Sequence, residues 1–131
     1  LESTGLEEIA SVLYRNTSIK TLDLSYNGLG GIETANVLRE LLRRNKTITS
    51  LSIARCVFGE SVAAVRSFAD GVLCNTTLQK LDLSVCHLGD EGISFLANAL
   101  AIRNTSILEI NLGCNGITSA GLHTLLGNGL E

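Results

Sequence analysis

One spacing, returning four times, constrains what this chain can fold into more than any other feature. The segments IKTLDLSYNGL from Ile19, ITSLSIARCVF from Ile48, LQKLDLSVCHL from Leu78 and ILEINLGCNGI from Ile107 share the pattern LxxLxLxx(N/C)xL, and their starts lie 29, 30 and 29 residues apart. Self-similarity at such a period is the signature of a solenoid, in which each repeat buries its apolar face only by stacking on its neighbours. Leu22 and Leu24 are two apart, so on an extended segment they face the same way, as do Leu51 and Ile53, Leu81 and Leu83, and Ile110 and Leu112. Asp23, Ser52, Asp82 and Asn111 lie between them and must face the opposite side. The pattern predicts short strands over 21–24, 50–53, 80–83 and 109–112, stacked in one parallel sheet.

Beyond each strand the chain turns inward, and its backbone groups need partners. Asn27, Cys56, Cys86 and Asn115 occupy that turn. An Asn amide both donates and accepts, and Cys tolerates burial with a weak S–H donor. All four are expected to be buried, as a ladder rather than a metal or redox site, because no CxxC or CxxH spacing occurs.

Helical spacing fills the intervals. Helices are predicted at roughly 5–15, 32–44, 61–73, 91–102 and 119–127. Their inner faces are read as Leu6, Ile9, Val12 and Leu13; Ile32, Ala35, Leu38, Leu41 and Leu42; Val62, Val65, Ala69, Val72 and Leu73; Ile93, Leu96, Ala97 and Leu100; and Leu122, Leu125 and Leu126. Glu33, Arg39, Glu40, Arg43 and Arg44 are expected outward. Thr4 with Glu7 forms a candidate capping box, and Asp90 and Thr118 are candidate N-caps. The whole chain reads as a single domain of 131 residues: a partial repeat at 1–18, repeats at 19–47, 48–77 and 78–106, and a second partial repeat at 107–131. Neither end has the polar outer face of a terminal repeat, so a piece of a longer array is expected. Ile9, Leu13, Leu112, Leu122 and Leu125 would line the two uncovered end faces, with self-association through them.

The net charge of −3, from ten basic and thirteen acidic residues without a polybasic block, argues against a nucleic-acid partner. No apolar run reaches the length of a membrane span. The four cysteines, Cys56, Cys74, Cys86 and Cys114, lack the clustering of a disulfide module, so free thiols and a reducing, cytoplasmic setting are expected. Asn16, Asn45, Asn75 and Asn104 each begin an N-x-[ST] motif at one repeat position, the corner between helix and next strand. Asn suits that corner because it tolerates left-handed backbone angles after a helix. The motif also matches a glycosylation acceptor.

The LxxLxLxx(N/C)xL cores, the long period and the LGDEGISFLANAL helix of residues 88–100 together resemble the ribonuclease-inhibitor type of leucine-rich repeat, across essentially the whole chain. Its members include ribonuclease inhibitor, the sensing arrays of NOD-like receptors, tropomodulin and the Ran GTPase-activating protein. The resemblance implies an α/β fold, a right-handed horseshoe solenoid with a parallel concave sheet and outer helices. It also implies protein binding, with GTPase activation of the Ran type as the alternative.

By register the concave face presents Thr21, Ser50, Lys80 and Glu109, then Asp23, Ser52, Asp82 and Asn111, then Ser25, Ala54, Ser84 and Gly113, and last Tyr26, Arg55, Val85 and Cys114. Tyr and Arg are the types enriched at binding hot spots. Tyr26 and Arg55 are therefore the leading contact pair, with Asp23, Asp82, Lys80, Glu109 and Asn111 beside them. Catalysis is not expected. Asp23 and Asp82 fall about 10 Å apart, two strands of about 4.8 Å each, too far for a coupled acid pair. His87 and His123 are distant in register, and no phosphate-binding glycine motif occurs. No catalytic, cofactor or metal residue is assigned.

Overall fold

Four three-residue strands carry the repeat. A computed structural model describes residues 2–58, 60–102 and 106–128. The order is α1 (Ser3–Leu13), β1 (Thr21–Asp23), α2 (Gly31–Arg44), β2 (Ser50–Ser52), α3 (Val62–Cys74), β3 (Lys80–Asp82), α4 (Gly89–Ile102), β4 (Glu109–Asn111) and α5 (Ser119–Asn128). The strands form one sheet in sequence order, every neighbouring pair parallel. Leu22, Leu51, Leu81 and Ile110 stand side by side, as do Asp23, Ser52, Asp82 and Asn111. This is the α/β solenoid that the period demands.

The strands stop one residue short of the expected four, yet the inter-repeat ladder continues. Leu24 N–H donates to Ser52 O at 2.8 Å, Ile53 N–H to Asp82 O at 3.0 Å and Leu83 N–H to Asn111 O at 2.9 Å. Two residues further, Tyr26 N–H donates to Ala54 O, Arg55 N–H to Ser84 O and Val85 N–H to Gly113 O. The helices pack on one side of the sheet around a core that includes Leu38, Leu41, Leu51, Ile53, Leu81, Leu83, Ile93 and Leu96.

The turn ladder forms with one exception. Asn115 is buried; its amide donates to Leu83 O at 2.8 Å and accepts from Cys86 N–H at 2.9 Å, so it ties two repeats together. Cys86 Sγ donates to Ile53 O at 3.3 Å, and Cys56 and Cys86 are both free, fully buried thiols. Asn27, expected to be buried, is half-buried. It lies beside β1, the edge strand, so among the described residues no strand's turn stacks on its outer side; its amide donates to Leu24 O and Ser25 O within its own turn.

The corner asparagines make a second ladder with a different cause from the expected one. Asn45 and Asn75 are extended, at φ −78° and −88°, not left-handed. Asn45 accepts from Thr47 N–H and Ile48 N–H at 2.9 and 2.8 Å, and donates to Leu13 O, at the end of the preceding helix, at 2.7 Å. Asn75 repeats this with Thr77, Leu78 and Leu42 O. Each Asn therefore closes its own corner and caps a carbonyl of the repeat before it. Both are 3% exposed, so their N-x-T motifs have a structural use. Asn104 lies outside the described residues.

Helix faces differ in detail from the periodic reading. Ile9, Val12, Ile32 and Val62 are exposed, while Phe58 and Phe68 fill the middle of the core, stacked with ring centroids 5.5 Å apart. Leu13 and Leu125, expected on the end faces, are only 4% exposed, because both belong to the continuous core. Leu122 and Leu126, read as part of the inner face of α5, are exposed instead, Leu122 as its end-face reading has it; Leu108, 80% exposed, is also open. Arg39 is half-exposed rather than fully outward. The Thr4–Glu7 box does not form: α1 starts at Ser3, with no side-chain cap. Asp90 lies inside the first turn of α4 rather than capping it. Its carboxylate accepts from Thr118 N–H at 2.8 Å and from the Thr118 hydroxyl, clamping α4 to the start of α5. Thr118 in turn accepts from Ala120 N–H at 3.3 Å, as an N-cap does.

Candidate functional site

The open face of the sheet is built from the polar residues that alternate with the buried leucines. It forms a shallow trough of about 240 Å³ lined by Ser50, Ser52, Lys80, Asp82, Glu109 and Asn111. Four residues singled out from the sequence, Lys80, Asp82, Glu109 and Asn111, meet there. Lys80 Nζ lies 3.7 Å from Glu109 Oε2 across β3 and β4; both side chains are exposed, so this pair contributes little to stability.

The acidic positions are occupied locally. Asp23 Oδ1 accepts from the Ser25 hydroxyl and from Ser25 N–H at 2.9 Å, and these bonds hold its carboxyl below the usual range. Asp82 Oδ1 accepts from Ser84 N–H at 2.9 Å and Ser84 Oγ–H at 2.7 Å, and Asn111 Oδ1 from Gly113 N–H at 3.0 Å. These are Asx turns, in which a side chain copies a backbone bond two residues on. The D-x-S spacing at 23–25 and 82–84 was the available signal, and sequence reasoning assigned these acids to binding alone. Asp23 and Asp82 flank Ser52 on opposite neighbouring strands and form no carboxylate pair.

Tyr26 and Arg55 sit beyond the end of the trough, on the turns after β1 and β2. Tyr26, Arg55, Val85 and Cys114 form one column, and all four have left-handed backbones, with φ between 55° and 63°. The left-handed angles expected at the corner asparagines are found here instead. Tyr26, Arg55 and Val85 are held so by their N–H bonds to the next repeat. The Arg55 guanidinium lies over the Tyr26 ring, 4.7 Å from its centroid. Tyr26 is 72% exposed, and Arg55 is exposed as well.

His87 and His123 are exposed and stand apart from the trough lining. Among the described residues, no three His, Cys, Asp or Glu side chains converge as a metal ion would require. Burial pushes the Cys56 thiol up to about 12 and the Cys86 thiol up to about 11, so neither is poised as a nucleophile. Among the described residues no helix is long and apolar enough to cross a membrane.

Comparison with known proteins agrees with this architecture. The family model described as Leucine Rich repeat matches residues 15–32, 74–97 and 103–126. NACHT, LRR and PYD domains-containing protein 12 of Mus musculus is 33% identical over 125 residues, covering 95% of this chain and 12% of the relative. Ribonuclease inhibitor of Sus scrofa is 27% identical over 125 residues, covering 95% of this chain and 27% of the relative. Among solved structures, leiomodin-1 actin-binding site 2 superposes with a TM-score of 0.79 at 21% identity, over 97% of this chain and 71% of that one. The tropomodulin C-terminal domain of Caenorhabditis elegans gives 0.75 at 12% identity, over 98% and 75%; at these identities the likeness is one of fold. The chain thus spans only a small part of the full-length relatives. Repeat pattern, parallel sheet, stacked turn ladders and family match converge: the chain belongs to the leucine-rich repeat family, of the ribonuclease-inhibitor type.

Proposed function

We propose that this chain is a protein-interaction module that meets a protein partner on the concave side of its sheet, as a segment of a longer repeat array. Tyr26 and Arg55 are the anchors, with Asp23, Asp82, Lys80, Glu109 and Asn111 around them. One observation supports this side best: a guanidinium lies over a large aromatic ring while both side chains remain exposed. These are the residue types that dominate binding energy, and ordering them in advance lowers the entropy lost on association. Two buried and two exposed free thiols fit a reducing compartment, for which the cytoplasm is the proposed setting.

Affinity capture with the full-length protein tests the reading. Joint substitution of Tyr26→Ala and Arg55→Ala is expected to weaken partner binding while leaving the melting temperature nearly unchanged. Arg39→Ala with Arg43→Ala, on the outer helical face, is expected to leave binding intact. The reverse pattern would move the site to the convex side. Actin is one partner to include, since leiomodin-1 actin-binding site 2 shares the fold.

A further inference from the structure

The concave side presents two cations by register, Lys80 and Arg55, and they differ in state. Lys80 already faces Glu109. Among the described residues the other ion pairs are Arg39–Glu40 and Arg44–Glu40, and Arg55 takes part in none. Its guanidinium makes no side-chain hydrogen bond to a described residue. Its Cζ lies over the Tyr26 ring and the side chain is exposed, which leaves its N–H donors open to solvent.

The mounting is rigid. Arg55 N–H donates to Ser84 O at 3.0 Å and Tyr26 N–H to Ala54 O at 3.1 Å, so both Cα–Cβ directions are set by the solenoid backbone. The left-handed angles at Arg55 and Tyr26 reinforce this. A planar fork that starts from a fixed backbone and leans on a ring, with its donors open, matches a carboxylate through two parallel N–H···O bonds. Val85, half-buried on the next turn, supplies an apolar neighbour for an aliphatic stem.

Resting on the concave-side reading above, we infer that Arg55 on Tyr26 is a carboxylate-recognition point, which takes a Glu or Asp side chain from an acidic segment of the partner protein. The charges around it favour a single-charged carboxylate over a phosphate. Asp23 and Asp82 stand on the strands either side of β2 and would repel a dianion more than a monoanion. The same two acids keep an acidic segment off the trough and on the turn column. No second unpaired cation lies in that column to hold a phosphate.

The test is side-chain NMR on the complete chain, following Arg Nε–H and Tyr ring signals. The probe is the singly charged peptide acetyl-Leu-Glu-Ala-Leu-amide, with acetyl-Leu-Gln-Ala-Leu-amide and inorganic phosphate at matched ionic strength as controls. The acidic peptide is expected to shift Arg55 Nε–H and the Tyr26 ring. Arg55→Lys, which keeps the charge and loses the fork, should weaken this about tenfold. Tyr26→Phe, which keeps the ring, should retain it. Equal shifts from the amide peptide or from phosphate would overturn the inference. So would silence at Arg55 while Tyr26→Ala with Arg55→Ala still abolishes partner capture, and in that case the concave-side reading stands. If neither the peptide nor the partner responds to these residues, both readings fall.

Discussion

The Arg55 guanidinium lies 4.7 Å above the centre of the Tyr26 ring, joining two residues that are 29 apart in sequence. The period places them together: each follows its strand by the same number of residues, and each N–H reaches into the next repeat. An exposed stack of this kind contributes about 0.5–1 kcal/mol, too little to explain the fold. Its consequence is an ordered, charged and aromatic edge on an otherwise small and polar face.

The buried asparagines should matter more to stability than the half-buried one. Asn75→Leu removes the partners of Thr77 N–H, Leu78 N–H and Leu42 O at a buried corner. Urea unfolding should show a loss on the order of 1–3 kcal/mol for each group left unpaired. Asn27→Leu, at a half-buried turn on the edge strand, should cost less. A negligible loss at Asn75 would show that the corner ladder does not bear on stability, and an equal loss at Asn27 would show that burial does not set the difference.

Helices α2 and α3 approach closely at Gly71, where a Cβ would sit 2.8 Å from Arg39 Cα and 3.2 Å from Leu42 Cδ1. Backbone cannot give way as a side chain can, so the helices must separate. Gly71→Ala is expected to destabilise by about 1–3 kcal/mol despite its better helix propensity. A melt that stays the same or rises would mean the two helices can slide apart freely.

Thiol chemistry should divide the cysteines in two. Cys74 and Cys114 are exposed, whereas Cys56 and Cys86 are buried with raised thiol pKa values. An aromatic disulfide reagent near neutral pH should titrate two thiols quickly and the other two only on unfolding. Rapid reaction of all four would contradict the packed turn ladder.

Acid should loosen the contact between α4 and α5. The Thr118 hydroxyl and then its N–H hold the Asp90 carboxyl below its ordinary range. A carboxylate with a depressed folded pKa adds stability above its unfolded value, and loses it as pH falls through the folded one. Amide exchange in α5 should therefore accelerate as pH drops below about 4, after correction for intrinsic rates. Asp90→Asn should flatten that dependence; an unchanged profile in this variant would remove the clamp from the account.

The solenoid was legible because one physical demand repeats four times. The strand leucines, the inner turn positions and the parallel register all follow from alternation and period. Helix faces were less legible: Phe68, left out of the expected stripe, is buried, and Val62, placed in it, is exposed, since packing against neighbouring helices sets which part of an apolar stripe is covered. The corner asparagines were recognised as structural but for the wrong reason, because their value lies in a bond to the preceding repeat, which local backbone preference does not express. At the candidate site, register alone made Tyr26 and Arg55 neighbours. The Asx turns of Asp23 and Asp82 were not anticipated, although their D-x-S spacing was in view. The partner's identity is not encoded in the period at all, since a fold shared by many binders does not choose among them.

The most direct test of the concave-side account is hydrogen–deuterium exchange on the full-length protein, with and without the protein it captures. Protection is expected over the turn column at 25–26, 54–55 and 84–85 and over the neighbouring strand ends, with α2, α3 and α4 unchanged on their outer faces. Protection confined to those helices, with exchange at Tyr26 and Arg55 unaltered, would contradict it.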